Sequence, residues 1–597
     1  MEFEQKAEEK KMSMSKNIAR LAVTAGLTAA LSFGGVMAPV TMAFADGTPV
    51  ATTIGNVTIN DDDYAGTTFK GIKIFSATVT QDQTNTNVWD STDEKTLSDI
   101  KWASDEVRDA VTEEFNSGTT DPSKPGNIND AAAWAKWIKT KTEAEYEAGT
   151  NQTTNLNVGT TLDRIAKALE SKAWTNATSG TGTFTGIDAG YWLFETKSVG
   201  NTTGADGNID AFTSPIFAVV GGENVNVKPK KDVPKVTKAV KDDATGATFK
   251  KSADSRMDQF IEYQLTGTVA SNINTYDEYY YEFEDKLPGS MSAELVDDSN
   301  EPNITVEING YKVTSGYQAT YEDNTLKVVF NNLKACTCSN GPVTFSADTK
   351  VTVGYKAKLD PSKIFEGGVM KTDFNGLVGR PQKNNVTLTY SNNPHNTSSR
   401  GKTVEHLAYD YTYGIDVTKV GSDVDKSGNK PALAGVQFIL QESGSKDYIK
   451  ADGTLTPNKN DAILTTNSEG KINVVGLDEG TYVLKEVKSA PGYNNSAADG
   501  ITFTITNNGL PTNDDSFNPG CRLAEGTDNK LVTVAETNTE KVDGKVHLTV
   551  TDQKGSNLPL TGLNGVTFTW IAGSAVLVIG VAHLIRSRKQ AEESEQE

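Results

Sequence analysis

Short runs in which polar and apolar side chains alternate recur along this chain, as in Val351-Thr352-Val353-Gly354-Tyr355 and Thr387-Leu388-Thr389-Tyr390, with Thr, Asn, Asp and Gly between them. A period of two puts successive side chains on opposite faces of an extended strand, so each run offers one face to a core and the other to water. Strands of that kind are stable when a second sheet covers the apolar face. The expected fold is therefore mainly β, as tandem immunoglobulin-like β-sandwich domains. The first third departs from this pattern. Leu162, Ile165, Ala166 and Leu169 fall at helical spacing, and Trp134, Trp137 and Ile138 repeat it, so two helices are expected to pack on the first domain's sheet with those tryptophans in its core.

A length of 597 residues suggests three or four domains at roughly 100 to 200 residues each, and we expect three. A Lys- and Pro-rich junction at 225–233 and a polar stretch at 393–403 divide the chain near 230 and 403. The expected units are a leader at 1–45, a first domain at 46–230, a middle domain at 231–403, a third domain at 404–557 and a terminal signal at 558–597.

Both ends carry segments that a folded domain does not need. Lys10, Lys11, Lys16 and Arg20 precede an apolar run from Leu21 to Val40, and Ala43-Phe44-Ala45 follows. That is the layout of a secretory signal peptide, which puts the mature start at Asp46 and leaves Met12 or Met14 open as initiator. At the other end Leu558-Pro559-Leu560-Thr561-Gly562 precedes an apolar stretch from Val566 to Ile585, closed by Arg586, Arg588 and Lys589. About twenty apolar residues can span a bilayer, and the basic tail holds its end in the cytoplasm.

The composition argues against several functions. A net charge of -21 disfavours nucleic acid as a partner, because phosphate binding needs clustered Lys and Arg. Cys336, Cys338 and Cys521 are too few for disulfides to be the main stabiliser, and their pairing is open. There is no HExxH, paired CxxC or phosphate-loop glycine pattern, so no enzyme site, metal or cofactor is expected. Asp423, Asp425 and Gly428 resemble a calcium loop, but Ala434 stands where a bidentate Glu belongs, and a hairpin turn is the better reading.

The order of motif, span and basic tail at the C-terminal end resembles the sorting signal of sortase substrates. The resemblance implies that a sortase cysteine attacks the Thr561 carbonyl, releases Gly562 onward and passes the acyl group to an amine. A second resemblance lies upstream. Leu433-Ala434-Gly435-Val436-Gln437-Phe438-Ile439-Leu440 and the stretch from Tyr482 to Tyr493 are similar to the collagen-adhesin B-type domain of Gram-positive pilins, and the latter matches the pilin E-box, with Glu486 as its glutamate. The implied chemistry is an intramolecular isopeptide bond. A lysine attacks only when neutral, burial lowers its pKa and raises that of a nearby carboxyl, and the protonated carboxyl shuttles protons.

For the third domain, related pilins carry an asparagine on the last strand, whereas here Asp552 occupies its place in Val546-His547-Leu548-Thr549-Val550-Thr551-Asp552. We expect a bond from Lys419 to Asp552, assisted by Glu486, with water leaving. A plain Lys419–Asp552 salt bridge and a bond to Asn557 are the alternatives. In the middle domain Lys238, Asp285 and Asn384 match the lysine, acid and asparagine of related backbone pilins, with Asn385 and Glu262 as fallbacks, since one residue of misalignment turns a side chain to the other sheet face. The first domain holds a degenerate copy, Gly186-Ile187-Asp188-Ala189-Gly190, but Glu195 falls one residue out of step with Glu486. Parity then turns Glu195 toward solvent, and no bond is expected there.

Backbone pilins also carry a Val-x-Val-Tyr-Pro-Lys motif, and this chain reads Val225-Asn226-Val227-Lys228-Pro229-Lys230. The match implies Lys230 as the amine that joins subunits, although Lys228 replaces the tyrosine and Lys231 lies beside it. Together these resemblances imply a non-enzymatic backbone subunit of a covalent surface pilus, anchored to the Gram-positive cell wall. Its partners would be identical subunits, pilus and housekeeping sortases, minor pilins, peptidoglycan and possible host surface ligands. A non-polymerising wall-anchored adhesin and a minor pilin share most of the same signals, and an enzyme carried on a stalk is a more distant alternative.

Overall fold

The computed structural model describes residues 32–33, 48–59, 66–91, 95–116, 121–147, 156–178, 182–200, 211–227, 233–297, 299–507, 509–528, 530–535 and 542–555. The chain is mainly β, in tandem immunoglobulin-like sandwiches, the first with added helices. Ser32 and Phe33, inside the expected leader, pair parallel with Thr96 and Leu97.

The first domain has three layers. Its central strand, Thr68–Asn85, pairs antiparallel with Gly190–Ser198 on one side and Thr96–Trp102 on the other. Helices cover one face of that sheet, where Trp134, Trp137, Ile138, Leu162, Ile165 and Leu169 share a core with Phe75 and Leu193. The described residues hold a third long helix, Asp105–Glu114, besides the two expected at Ala131–Glu147 and Thr161–Leu169. Its signal lay in its start, where Ser104 Oγ accepts from Val107 N at 3.2 Å and Asp105 and Glu106 occupy the first turn. A smaller sheet of Ile54–Ile59, Thr183–Asp188 and Val225–Val227 covers the opposite face and packs Val57, Ile59 and Phe184 on Phe69 and Phe194.

In the middle domain, Val236–Lys241, Ile261–Thr268 and Lys350–Leu359 lie side by side in one sheet, and Tyr281–Lys286, Gln382–Ser391 and His406–Tyr411 in the facing one. Alternation is strict: in Ile261–Thr268 every second residue is buried. The strand His406–Tyr411 pairs with Gln382–Val386, so the chain leaves this sandwich at Thr412, past the expected division at 403. The polar stretch that suggested a linker is a connection inside the domain, since Arg400–Lys402 pairs back onto Thr389–Ser391.

The third sandwich sets Lys471–Leu477, Tyr413–Gly421 and Lys545–Asp552 in one sheet against Gln437–Glu442, Gly480–Lys488 and Ile501–Thr506 in the other. Its first and last long strands are parallel neighbours, in register from Gly414 opposite Lys545 to Gly421 opposite Asp552.

Candidate functional site

Two lysines lie in sandwich cores, where an isolated charge would be very costly. Lys238 alternates inward from Val236–Lys241, and its side chain is fully buried. Facing it, Tyr281–Lys286 presents Asp285, fully buried, and the neighbouring strand presents Asn384, also fully buried. Lys238 Nζ donates to both Asp285 oxygens at 2.5 Å and to Tyr355 Oη at 3.0 Å. Tyr355 Oη also donates to Asp285 Oδ2 at 3.1 Å and accepts from Asn384 Nδ2 at 2.8 Å. The rings of Tyr263 and Tyr355 stack at 5.4 Å and flank the amine at 5.3 and 5.4 Å. Burial pushes the Lys238 amine down to about 8, against the pull of Asp285, and pushes the Asp285 carboxyl up. Both shifts bring the pair toward neutral amine and neutral acid.

Of the fallback residues, Asn385 is only half-buried, on the other face of its strand. Glu262 pairs with Lys241 at 3.1 Å near the surface and takes no part in the cluster.

In the third domain Lys419 Nζ lies 2.8 Å from Glu486 Oε2 and 2.5 Å from Asp552 Oδ1, with all three side chains fully buried. Lys419 and Asp552 come from the adjacent parallel strands, and Glu486 reaches across from the facing sheet. Ser496 N donates to Asp552 Oδ1 at 3.1 Å, and the Phe438 ring lies 5.6 Å from the amine. Burial raises the Glu486 carboxyl to about 7, Lys419 opposing it. Glu486 can therefore hold a proton near neutral pH, which is what a shuttle needs.

Glu195 corrects an expectation. It is buried, not solvent-facing, with Lys70 Nζ at 3.5 Å and His395 Nε2 at 3.8 Å. The parity argument assumed a strand with one wet face. Gly190–Ser198 lies between the helical layer and the small sheet, so its first seven residues are buried on either face. Burial and the nearby Glu170 carboxylate hold the Glu195 carboxyl well above its ordinary value, against the pull of Lys70.

Tyr355 and Ser496 were missed as site residues. Tyr355 was legible as a strand residue, but only the pairing of Val236–Lys241 and Lys350–Leu359 on either side of Ile261–Thr268 puts its hydroxyl near Lys238, and no local pattern marks that. Cys336, Cys338 and Cys521 are free thiols. The 423–428 segment is a turn, where Asp425 Oδ1 accepts from Ser427 N and Asn429 N, both at 2.8 Å. Among the described residues no cluster of His, Cys, Asp and Glu is arranged to hold a metal, and no helix is long and apolar enough to cross a membrane. Lys228, Lys230, Lys231, Asn557, the 558–562 motif with Thr561, and the 566–585 span lie outside the described residues.

Residues 416–518 match the family model of the SpaA domain, a prealbumin-like fold domain, a span that includes Lys419 and Glu486. The chain is 28% identical over 273 residues to the fimbrial subunit type 1 of Actinomyces viscosus, covering 41% of this chain and 44% of that protein. It therefore spans under half the length of that curated relative. Among solved structures it is similar to the T6 backbone pilin of serotype M6 Streptococcus pyogenes, with 15% identity, TM-score 0.44, and coverage of 86% of this chain and 100% of that one. The full-length major pilin SpaD of Corynebacterium diphtheriae gives 17% identity, TM-score 0.39, and coverage of 84% and 98%.

Proposed function

We propose that this chain is the structural backbone subunit of a covalently polymerised cell-surface pilus, joined by sortase through Thr561 of one subunit to Lys230 of the next. Two intramolecular isopeptide bonds stiffen it, Lys238 to Asn384 with Asp285 as the assisting acid, and Lys419 to Asp552 with Glu486. The observation that carries this reading is the placement of Lys419, on the first long strand of a sandwich, against the buried carboxyls of Asp552 on the last long strand and Glu486 on the facing sheet. A lysine and two carboxyls in a dry core are costly if they serve only as an ion pair, because desolvation offsets most of the attraction. Condensation removes both charges. The likeness to a fimbrial subunit and to the SpaA domain supports the same reading.

Force explains why such bonds suit a fibre. Tension on a subunit held at Lys230 and Thr561 enters the middle domain near Lys238 and leaves the third after Asp552. With both bonds made, the load passes from Lys238 to Asn384, along the chain to Lys419, and from there to Asp552. Residues 239–383 and 420–551 then carry none of it, and neither sandwich can unzip. In the absence of force, closing the 133-residue separation between Lys419 and Asp552 adds stability, about 4–5 kcal/mol by analogy with a disulfide closing a loop of that size.

The test is an immunoblot of wall extracts boiled in detergent. The wild-type chain should give a high-mass ladder, and Lys230→Ala should leave secreted monomer without it. A single wild-type band would indicate a non-polymerising adhesin, and an unchanged ladder in Lys230→Ala would remove that lysine as the acceptor.

A further inference from the structure

The two lysine clusters differ in two respects. The middle one holds Lys238 with one carboxyl and an amide where the third holds Lys419 with two carboxyls, and only the middle one places a phenol among the proposed reacting atoms. Tyr355 Oη meets Lys238 Nζ at 3.0 Å, Asp285 Oδ2 at 3.1 Å and Asn384 Nδ2 at 2.8 Å. Asn384 Oδ1 is buried and makes no hydrogen bond among the described residues, so the amide is contacted at its nitrogen.

The difference follows the leaving groups. An acid that condenses with an amine loses water, and a protonated carboxyl already carries the proton its leaving oxygen needs. An amide loses ammonia, and its nitrogen must gain a proton before the C–N bond breaks. Asp285 and Asn384 sit on adjacent antiparallel strands, where Asp285 is opposite Val386. The hydroxyl that bridges Asp285 to Nδ2 comes from the facing sheet, on the strand Lys350–Leu359.

We propose that Tyr355 is a catalytic residue of the middle-domain bond, relaying a proton from Asp285 to the departing Nδ2 of Asn384. This rests on the Lys238–Asn384 bond of the preceding section. Asp285 first takes one proton from the Lys238 ammonium. The neutral Nζ then attacks Asn384 Cγ, forming the new C–N bond while the carbonyl electron pair moves to Oδ1. Asp285 gives its proton to Tyr355 Oη as the phenol gives its own to Nδ2. Asp285 next takes the second proton from Nζ, the carbonyl re-forms, and Nδ2 leaves as ammonia. The products are one amide, one ammonia and a protonated Asp285, so the five protons of the starting ammonium and amide are all accounted for. Burial holds the Tyr355 phenol well above its ordinary value, so it works as a neutral group that accepts and donates together and never as a free phenolate.

The experiment measures intact mass and the branched Lys238–Asn384 peptide in the full secreted chain, sampled over time after cell-free synthesis. Wild type should lose one ammonia at the middle site. Tyr355→Phe keeps the ring and its stacking on Tyr263 but removes the hydroxyl, and should form the branched peptide about a hundredfold more slowly, with near-UV circular dichroism unchanged and the Lys419–Asp552 linkage complete. Site-specific 3-fluorotyrosine at 355 covers the case in which Tyr355→Phe misfolds: a more acidic phenol in the same packing should change the rate. An equal rate in Tyr355→Phe, or no response to 3-fluorotyrosine, overturns the relay while leaving the bond itself standing. A wild-type chain without the ammonia deficit, or with a Lys238–Asp285 linkage that has lost water instead, overturns the bond and the relay together.

Discussion

In the proposed third-domain bond the acceptor is the Asp552 acid, where the resemblance to pilins implied an asparagine, so water would leave in place of ammonia. Its Oδ1 accepts from the Lys419 amine at 2.5 Å and the Ser496 amide at 3.1 Å, which holds the carboxyl beside the amine. The proton count must come from Glu486. The reactive combination of neutral lysine, protonated Asp552 and protonated Glu486 has the same protons as ammonium, Asp552 carboxylate and protonated Glu486. It is reached only while Glu486 keeps its proton, which it does below about 7 and loses above. Chain made by cell-free synthesis and folded at pH 6 should therefore lose its water faster than chain folded at pH 8, by about tenfold if the rate follows the protonated fraction. Glu486→Gln should keep the water, and its third domain should be less stable by about 4–5 kcal/mol in denaturant melts. A Glu486→Gln chain with the full water deficit would show that the carboxyl is not the shuttle.

The strand Gly190–Ser198 shows what a period of two cannot decide. Alternation tells which residues share a face, and it tells which face is wet only when the opposite one is bare. Here helices lie on one side and a small sheet on the other, so Glu195 is buried whichever way its parity points. Its carboxyl titrates above the ordinary range, so the folded state binds a proton that the unfolded chain has released. The stability this gives is present below the unfolded value and is lost as pH rises toward the folded one. Glu195→Gln removes that titration. It should melt like wild type at pH 4 and be more stable at pH 8, by about 1–3 kcal/mol, the cost of a buried group without full pairing. Equal pH dependence in the two proteins would mean that Lys70 fully compensates the carboxylate. We still expect no isopeptide bond in this domain, but for a different reason: Lys70 is shared, at 3.5 Å from Glu195 and 3.4 Å from Glu170.

The middle and third sandwiches are joined by more than the chain at Thr412. Met257 N donates to Gly476 O at 2.9 Å, Phe517 N to Gly379 O at 2.7 Å, and Tyr411 Oη to Asp515 O at 2.8 Å. At the centre Gly379 and Gly544 press backbone to backbone, both with positive φ, and a Cβ on either would overlap the other. This joint fixes the angle between the two sandwiches, which in the proposed fibre would be two cross-linked units under load. Gly544→Val should cost about 1–3 kcal/mol and separate the unfolding of the two domains in calorimetry, while the water and ammonia deficits relative to the variant's own calculated mass stay as in wild type because neither lysine cluster is touched. A single cooperative transition in the variant would show that the hydrogen bonds alone hold the joint.

Strand periodicity and the helices at 131–147 and 161–169 were legible in local spacing, whereas Lys238, Asp285, Asn384, Lys419, Glu486 and Asp552 became candidates only through the resemblance of short motifs to those of pilins, and their burial in two clusters is what the tertiary structure adds. The third long helix was legible only in its cap, a weaker signal than an apolar stripe. The end of the middle domain was not legible, because a polar connection inside a sandwich has the same composition as a linker between two. Burial of Glu195 was decided by what packs on a strand's second face, and the placement of Tyr355 against Lys238, Asp285 and Asn384 by strand pairing within one sheet and the facing of two. That depends on residues far away in the chain, which local spacing cannot report.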